Sequence, residues 1–270
     1  MRIDLLAIDL DGTLLNAAKQ ITDATAEALR AAREQQRVRV VLASARPPRS
    51  VMPFYRELEL DAPMINYNGA LVYDPPGNRI LLHRPIPLAV ARGIVSLARS
   101  LYPEVLVSAE ILDHWYTDRL DASYQTETAR IVAPDVVAPV AQWLTESVTK
   151  LLLLGDPDRL AELAEAIRTR FLHQVTMVQT EDFLLQIMHA TVSKAQALRV
   201  VAAELNVGRE HVMAVGDNAN DVGMLQWAAV GVAVANAAPS AIAAADIVTD
   251  HHDQDGVANI IRSVILDRPH

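Results

Sequence analysis

Residues 5–15 read LLAIDLDGTLL, an apolar run that ends in two aspartates one residue apart. Such an unbroken run suits a strand buried on both faces of a parallel sheet, with Asp9 and Asp11 at its C-terminal tip. Strand side chains repeat every two residues, so both carboxylates can project to one side while Gly12 lets the backbone turn beneath them. In open α/β sheets, ligands bind at that end of the strands. Asp-Gly alone is an ordinary turn signal. A second carboxylate so close adds like-charge repulsion, which calls for a cation nearby or for one of the pair to stay protonated. An aspartate beside a bound metal can also attack phosphorus and form an aspartyl-phosphate.

Other predicted strand ends repeat this pattern. Residues 38–42 form a strand that runs into Ala43-Ser44-Ala45-Arg46-Pro47, where a small hydroxyl and exposed backbone N–H groups suit a phosphoryl oxygen. Residues 64–67 form another, followed by Asn68-Gly69-Ala70, which is first of all a turn signal. Ser193 is placed to cap a helix with Ala197, Leu198, Val201 and Leu205 on its inner face. Lys194 then falls in the first turn, the wrong end of the helix dipole for a cation. The chain has three lysines (Lys19, Lys150 and Lys194) against 21 arginines, so a lysine here points to a need for a compact ammonium. Residues 211–216 form a buried strand ending at Asp217-Asn218-Ala219-Asn220-Asp221. Those aspartates favour the start of a following helix by about 0.3–1 kcal/mol each. Clustered with Asp9 and Asp11, they form an oxygen-donor set that suits octahedral Mg²⁺.

Asp9-Leu10-Asp11-Gly12-Thr13 resembles the first motif of the haloacid dehalogenase superfamily of phosphotransferases. LASARP at 42–47 is similar to the second motif of its Cof-type members, with Ala45 where glycine is usual. Ile65-x-x-Asn68-Gly69-Ala70 is similar to the segment that borders their substrate cleft. Ser193-Lys194 resembles the third motif, with Ala195 in place of a glycine, and Gly216-Asp217-x-x-Asn220-Asp221 the fourth. The resemblance implies an α/β fold, a doubly wound, Rossmann-like parallel sheet core formed by residues 1–81 and 189–270. It also implies an inserted α/β cap of class IIB at 82–188, acting as a lid that excludes water.

The residues of that insertion support a second α/β unit. Helices are expected at 87–101 and from Pro157, where Asp156 is the N-cap and Leu160, Leu163, Ala164, Ile167 and Phe171 share a face. Strands are expected at 105–108, 148–154, 174–178 and 183–188. His114, Trp115 and Tyr116 are candidates for substrate recognition, though packing within the cap is the plainer reading.

The resemblance further implies roles. Asp9 attacks phosphorus, and Asp11 protonates the leaving oxygen and later deprotonates water, for which a raised pKa would serve best. Mg²⁺ is held by the Asp9 and Asp217 carboxylates and the Asp11 carbonyl, and through water by Asp221. Leu10, Ser44, Ala45 through its N–H, Lys194 and Asn220 bind the phosphoryl oxygens. The implied activity is a Mg²⁺-dependent phosphatase for a small phosphorylated metabolite: a sugar phosphate, nucleotide or cofactor phosphate. A phosphomutase using the same nucleophile and a non-catalytic sugar-phosphate sensor are the alternatives. Retention of both aspartates and the lysine speaks against the sensor.

Composition narrows the partners. A formal charge of −9 disfavours nucleic acid and membrane surfaces, so an anionic substrate must meet a local positive site. The absence of cysteine excludes disulfides, thiolate metal sites and a cysteine nucleophile. Asp4, Asp9 and Asp11 interrupt any signal-peptide core, so a cytoplasmic protein is expected. Residues 227–245 carry no charge, but Gly231, Asn236, Pro239 and Ser240 divide them into a strand and an alanine-rich helix rather than a membrane span. In the tail, Asp250, His251, His252, Asp253 and Asp255 crowd together. A second metal site is one reading of this cluster, but it lacks the spacing of an EF-hand, and a polar loop before a helix from Gly256 is the simpler reading.

Overall fold

A computed structural model describes residues 2–124 and 132–267. The chain divides into two compact units, Met1–Leu82 with Ser193–His270, and His83–Val192.

The first unit is built around strand Leu5–Ile8, all four residues of which are buried. It lies inside a five-stranded sheet in the order Ile247–Val248, Val230–Ala233, Val212–Gly216, Leu5–Ile8, Arg39–Leu42. Every pairing is parallel. The apolar runs sit where both faces are covered, by helices such as Asp23–Gln36 and Lys194–Glu204. Thr22 caps the first of these by accepting from the Thr25 N–H, and Ala28, Leu29 and Ala32 are its buried face. From Leu5–Ile8 the chain moves to Arg39–Leu42 on one side, while Val212–Gly216 pairs on the other. The strand order therefore reverses at Asp9, the position at which such sheets bind ligands.

Two local features add to those read from the sequence. Pro48–Glu57 is a helix, opened by Pro48 at its first position, although Pro53 lies within it. The turn at residues 74–77 joins strands Leu71–Asp74 and Arg79–His83, which with Met64–Asn66 form a three-stranded sheet.

The second unit holds a six-stranded sheet in the order Val175–Glu181, Leu184–His189, Lys150–Leu154, Leu106–Ile111, His114–Thr117, Val136–Val137. Helices Leu88–Leu101 and Pro157–Arg170 contribute Ile94, Ala98, Leu160, Leu163 and Ile167 to a core shared with Val107, Leu151 and Leu153. Asp156 caps the second helix with bonds from the Asp158 and Arg159 N–H groups. Residues 227–245 are a strand and a short helix. Among the described residues no helix is long and apolar enough to cross a membrane.

Candidate active site

Strand register brings the motifs together. Ile8 lies opposite Leu42 on one side and Val215 on the other. Just beyond, the Asp9 N–H donates to the Val215 carbonyl at 3.0 Å and the Ala43 N–H to the Ile8 carbonyl at 2.8 Å, so Asp9, Ser44 and Asp217 follow at the ends of adjacent strands. Gly12 makes the turn that follows with φ +81°, and a Cβ there would stand 2.6 Å from Asp217 Oδ2. Only glycine lets the turn pass this close to that carboxylate.

Lys194 enters from the third motif. Ser193 caps its helix by accepting from the Gln196 N–H, and Lys194 is buried. Its Nζ donates to Asp9 Oδ1 at 2.5 Å and to Asp221 Oδ1 at 2.6 Å. Asp221, wholly buried, also accepts through Oδ2 from the N–H groups of Asp217 at 3.1 Å and Asn218 at 3.0 Å. Both of its oxygens are therefore committed to holding the ammonium and the fourth-motif loop. Asp217 Oδ1 accepts from the Thr13 hydroxyl at 3.1 Å.

Three carboxylates thus surround one ammonium. Burial pushes the Asp9 carboxyl well above its usual range; Lys194 pulls it back, while the charges of Asp221 and Asp217 push it further up. Asp217 is raised too, by burial and by Asp221, against the Thr13 hydrogen bond and Lys194. For Lys194, burial favours the neutral amine, but the charges of Asp221 and Asp9 outweigh it and keep the group protonated. Oxygens of Asp9, Asp217 and Asp221 lie within 4.8 Å of one another. Surplus negative charge and hard oxygen donors fit a divalent cation such as Mg²⁺. Asp217 also shares a side-chain hydrogen bond with Asp9, which ties the first and fourth motifs together directly.

Asp11 lies apart from this cluster and is held differently. Arg46 grips it with two bonds, Nε to Oδ2 at 2.7 Å and a terminal nitrogen to Oδ1 at 2.6 Å, and Lys19 Nζ reaches Oδ1 at 2.8 Å. Burial alone would raise its pKa, but the hydrogen bonds and charges of Arg46 and Lys19 hold it below the ordinary value. This departs from the raised value that suits a resting general acid. Neither Arg46 nor Lys19 is among the site residues that the resemblance implies. Lysine scarcity, which singled out Lys194, applies equally to Lys19.

The remaining positions line the same strand ends. Ser44 is buried, its Oγ accepting from the Arg46 N–H at 3.1 Å and its carbonyl from the Asn68 N–H at 3.0 Å. Asn220 Nδ2 donates to Asn68 Oδ1 at 2.9 Å, which ties the fourth motif to the Asn-Gly segment. No described residue accepts from the Leu10 or Ala45 N–H. Ala45 is not among the residues with positive φ, so its methyl group imposes no backbone strain. Ala195 lies in the first turn of a helix, where alanine is more favourable than glycine. In the second unit, Trp115 Nε1 donates to Ser108 Oγ at 2.6 Å and Tyr116 packs 5.9 Å from the Trp143 ring. Both contacts are within that unit. His114 is exposed, with Nδ1 3.7 Å from Asp135.

The profile of the haloacid dehalogenase-like hydrolase family matches residues 6–261. Phosphatase YwpJ of Bacillus subtilis is 31% identical over 97% of this chain and 99% of its own length. A second protein of that organism, 5-amino-6-(5-phospho-D-ribitylamino)uracil phosphatase YitU, is 29% identical over 96% of each chain. A crystal structure of a haloacid dehalogenase-like hydrolase from Bacteroides thetaiotaomicron superposes with a TM-score of 0.89 at 28% identity, covering 97% of this chain and all of the other.

Proposed function

The chain belongs to the haloacid dehalogenase-like hydrolases, as a Cof-type phosphoric monoester hydrolase, and we propose that it hydrolyses a small phosphorylated metabolite with Asp9 as the attacking group. The observation that carries this reading is the buried Lys194 ammonium bonded to Asp9 and backed by Asp221. Lys194 holds Asp9 Oδ1 and so orients the carboxylate that attacks phosphorus. The bond from Asp9 to phosphorus forms as the bond to the leaving oxygen breaks, and Asp11 gives that oxygen a proton. Asp11 then takes a proton from the water that attacks the aspartyl-phosphate, which releases inorganic phosphate and restores Asp9.

Two features of the site bear on these steps. The Arg46 and Lys19 bonds keep Asp11 ionised, the state needed for the water step. For the first step an anionic substrate draws those cations toward itself, which lets Asp11 carry the proton. The Leu10 and Ala45 N–H groups, with Ser44, Lys194 and Asn220, are the donors for the phosphoryl oxygens. Asp9, Asp217 and the Asp11 carbonyl would hold Mg²⁺, with Asp221 behind them, and when bound the ion supplies charge against those oxygens. A substrate class of phosphorylated metabolites is in keeping with the ribitylaminouracil phosphate named for YitU.

The test is phosphate release, with Mg²⁺ present, from sugar phosphates, nucleotides and cofactor phosphates. Wild type is expected to turn over at least one of these, and Asp9→Asn to lose more than about a thousandfold in kcat. Release by Asp9→Asn at the wild-type rate would remove Asp9 from the mechanism.

A further inference from the structure

Beside the phosphatase site, but sharing none of its side chains, the tail residues His251, His252 and Asp253 converge. Their ligating atoms lie within 4.8 Å of one another. His252 Nδ1 is 2.8 Å from the Leu15 carbonyl, which can only accept, so Nδ1 carries a proton and Nε2 is the ring nitrogen available to a ligand. That is the arrangement by which proteins orient an imidazole for a metal. Asp253 Oδ1 is taken by the Ala17 N–H at 2.7 Å, which leaves Oδ2. This oxygen stands 3.7 Å from His252 Nε2 and 3.7 Å from His251 Nδ1. Such distances are too long for hydrogen bonds. Ligands at about 2.1 Å from a tetrahedral ion stand about 3.4 Å apart, a little less than these two histidine–carboxylate distances.

We propose that His251, His252 and Asp253 form a second cation site that takes Zn²⁺ or a similar borderline transition ion in preference to Mg²⁺. Two imidazole nitrogens and one carboxylate oxygen suit such ions, whereas Mg²⁺ prefers an all-oxygen shell. His251 Nδ1 accepts from the Asp253 N–H at 3.1 Å, so it too is unprotonated, and it exchanges this bond for the ion. Three protein ligands leave the remaining position to solvent. The site would clamp residues 15–17 to residues 251–253. The clamp reaches the Gly12 turn through one side chain: the His252 N–H donates to Asn236 Oδ1 at 3.0 Å, and Asn236 Nδ2 donates to the Gly12 carbonyl at 2.7 Å.

The test titrates untagged full-length protein with Co²⁺ in the presence of excess Mg²⁺, reading the visible absorption of the bound ion and its displacement by Zn²⁺. One Co²⁺ per chain is expected, retained in Asp217→Asn and displaced by Zn²⁺. Outer-shell partners alone are worth about 10–100-fold in metal affinity, so His252→Gln and Asp253→Asn should each weaken binding by at least about tenfold. Zn²⁺ should raise the melting temperature of wild type but not of His252→Gln, and the melting curve of this variant without Zn²⁺ reports that it is folded. Equal Co²⁺ affinity in wild type and both tail variants, or loss of binding in Asp217→Asn, would overturn the proposal. The phosphatase reading stands or falls separately, because this measurement does not depend on turnover.

Discussion

At the scale of single residues, the site is governed by charge balance in a buried place. Lys194 is the one ammonium among Asp9, Asp217 and Asp221, and removing it leaves buried carboxylates without their cation. Breaking a buried pair in this way costs about 3–5 kcal/mol. Urea unfolding of Lys194→Met is expected to show a loss of that order, smaller when Mg²⁺ is added; an unchanged midpoint would mean that the carboxylates are neutral in the resting protein. Gly12→Ala tests the close approach of the turn to Asp217. Its φ of +81° and the 2.6 Å contact are expected to cost about 1–3 kcal/mol and to weaken Mg²⁺ binding by displacing Asp217. Mg²⁺ affinity equal to that of wild type would show that the turn yields instead. These residue types were legible in the motifs. The pairing of Asp11 with Arg46 and Lys19 was not, because a bond across 35 positions depends on where two loops meet.

At the scale of elements, strand ends and helix starts do the placing. Caps could be read directly: Asp156 and Ser193 each accept from a backbone N–H of the first turn. A cap is a local bond between near neighbours, so local sequence is enough to identify it. The helix Pro48–Glu57 escaped notice because Pro53 contradicts its interior and its support comes from packing, with Val51 and Tyr55 in the core. The Ser193 cap has a consequence for chemistry, since the same turn carries Lys194. Ser193→Ala should cost about 1 kcal/mol in stability and lower kcat. A stability loss with kcat unchanged would mean that the ammonium is positioned by its two carboxylates alone.

At the scale of the whole molecule, two units respond to different conditions. In the first, a divalent ion relieves carboxylate repulsion, so Mg²⁺ is expected to raise the melting temperature of wild type, and by much less in Asp217→Ala. Equal shifts would place the stabilising ion elsewhere. In the second, burial lowers the pKa of His83, partly opposed by Glu146, and its Nε2 lies 2.9 Å from Thr149 Oγ1. A lowered folded pKa means that the unfolded chain binds the proton more readily. Stability is therefore full above the unfolded value of about 6.5 and is lost as pH falls through the lower folded value. Melting curves between pH 7.5 and 5 should show wild type losing more than His83→Gln. Parallel losses would point to other groups.

By itself the amino-acid sequence determined the strand at residues 5–8, the capped helices, and the kinds of group that stand at the strand ends, since hydrophobic period, cap chemistry and residue type are local properties. Only the tertiary structure decided which charge faces which. It set Lys194 between Asp9 and Asp221, gave Asp11 to Arg46 and Lys19, and brought ligating atoms of His251, His252 and Asp253 within 4.8 Å of one another. Strand register and loop packing bring these groups within 3–4 Å across as many as 185 positions, and electrostatic interaction depends on that distance rather than on separation along the chain.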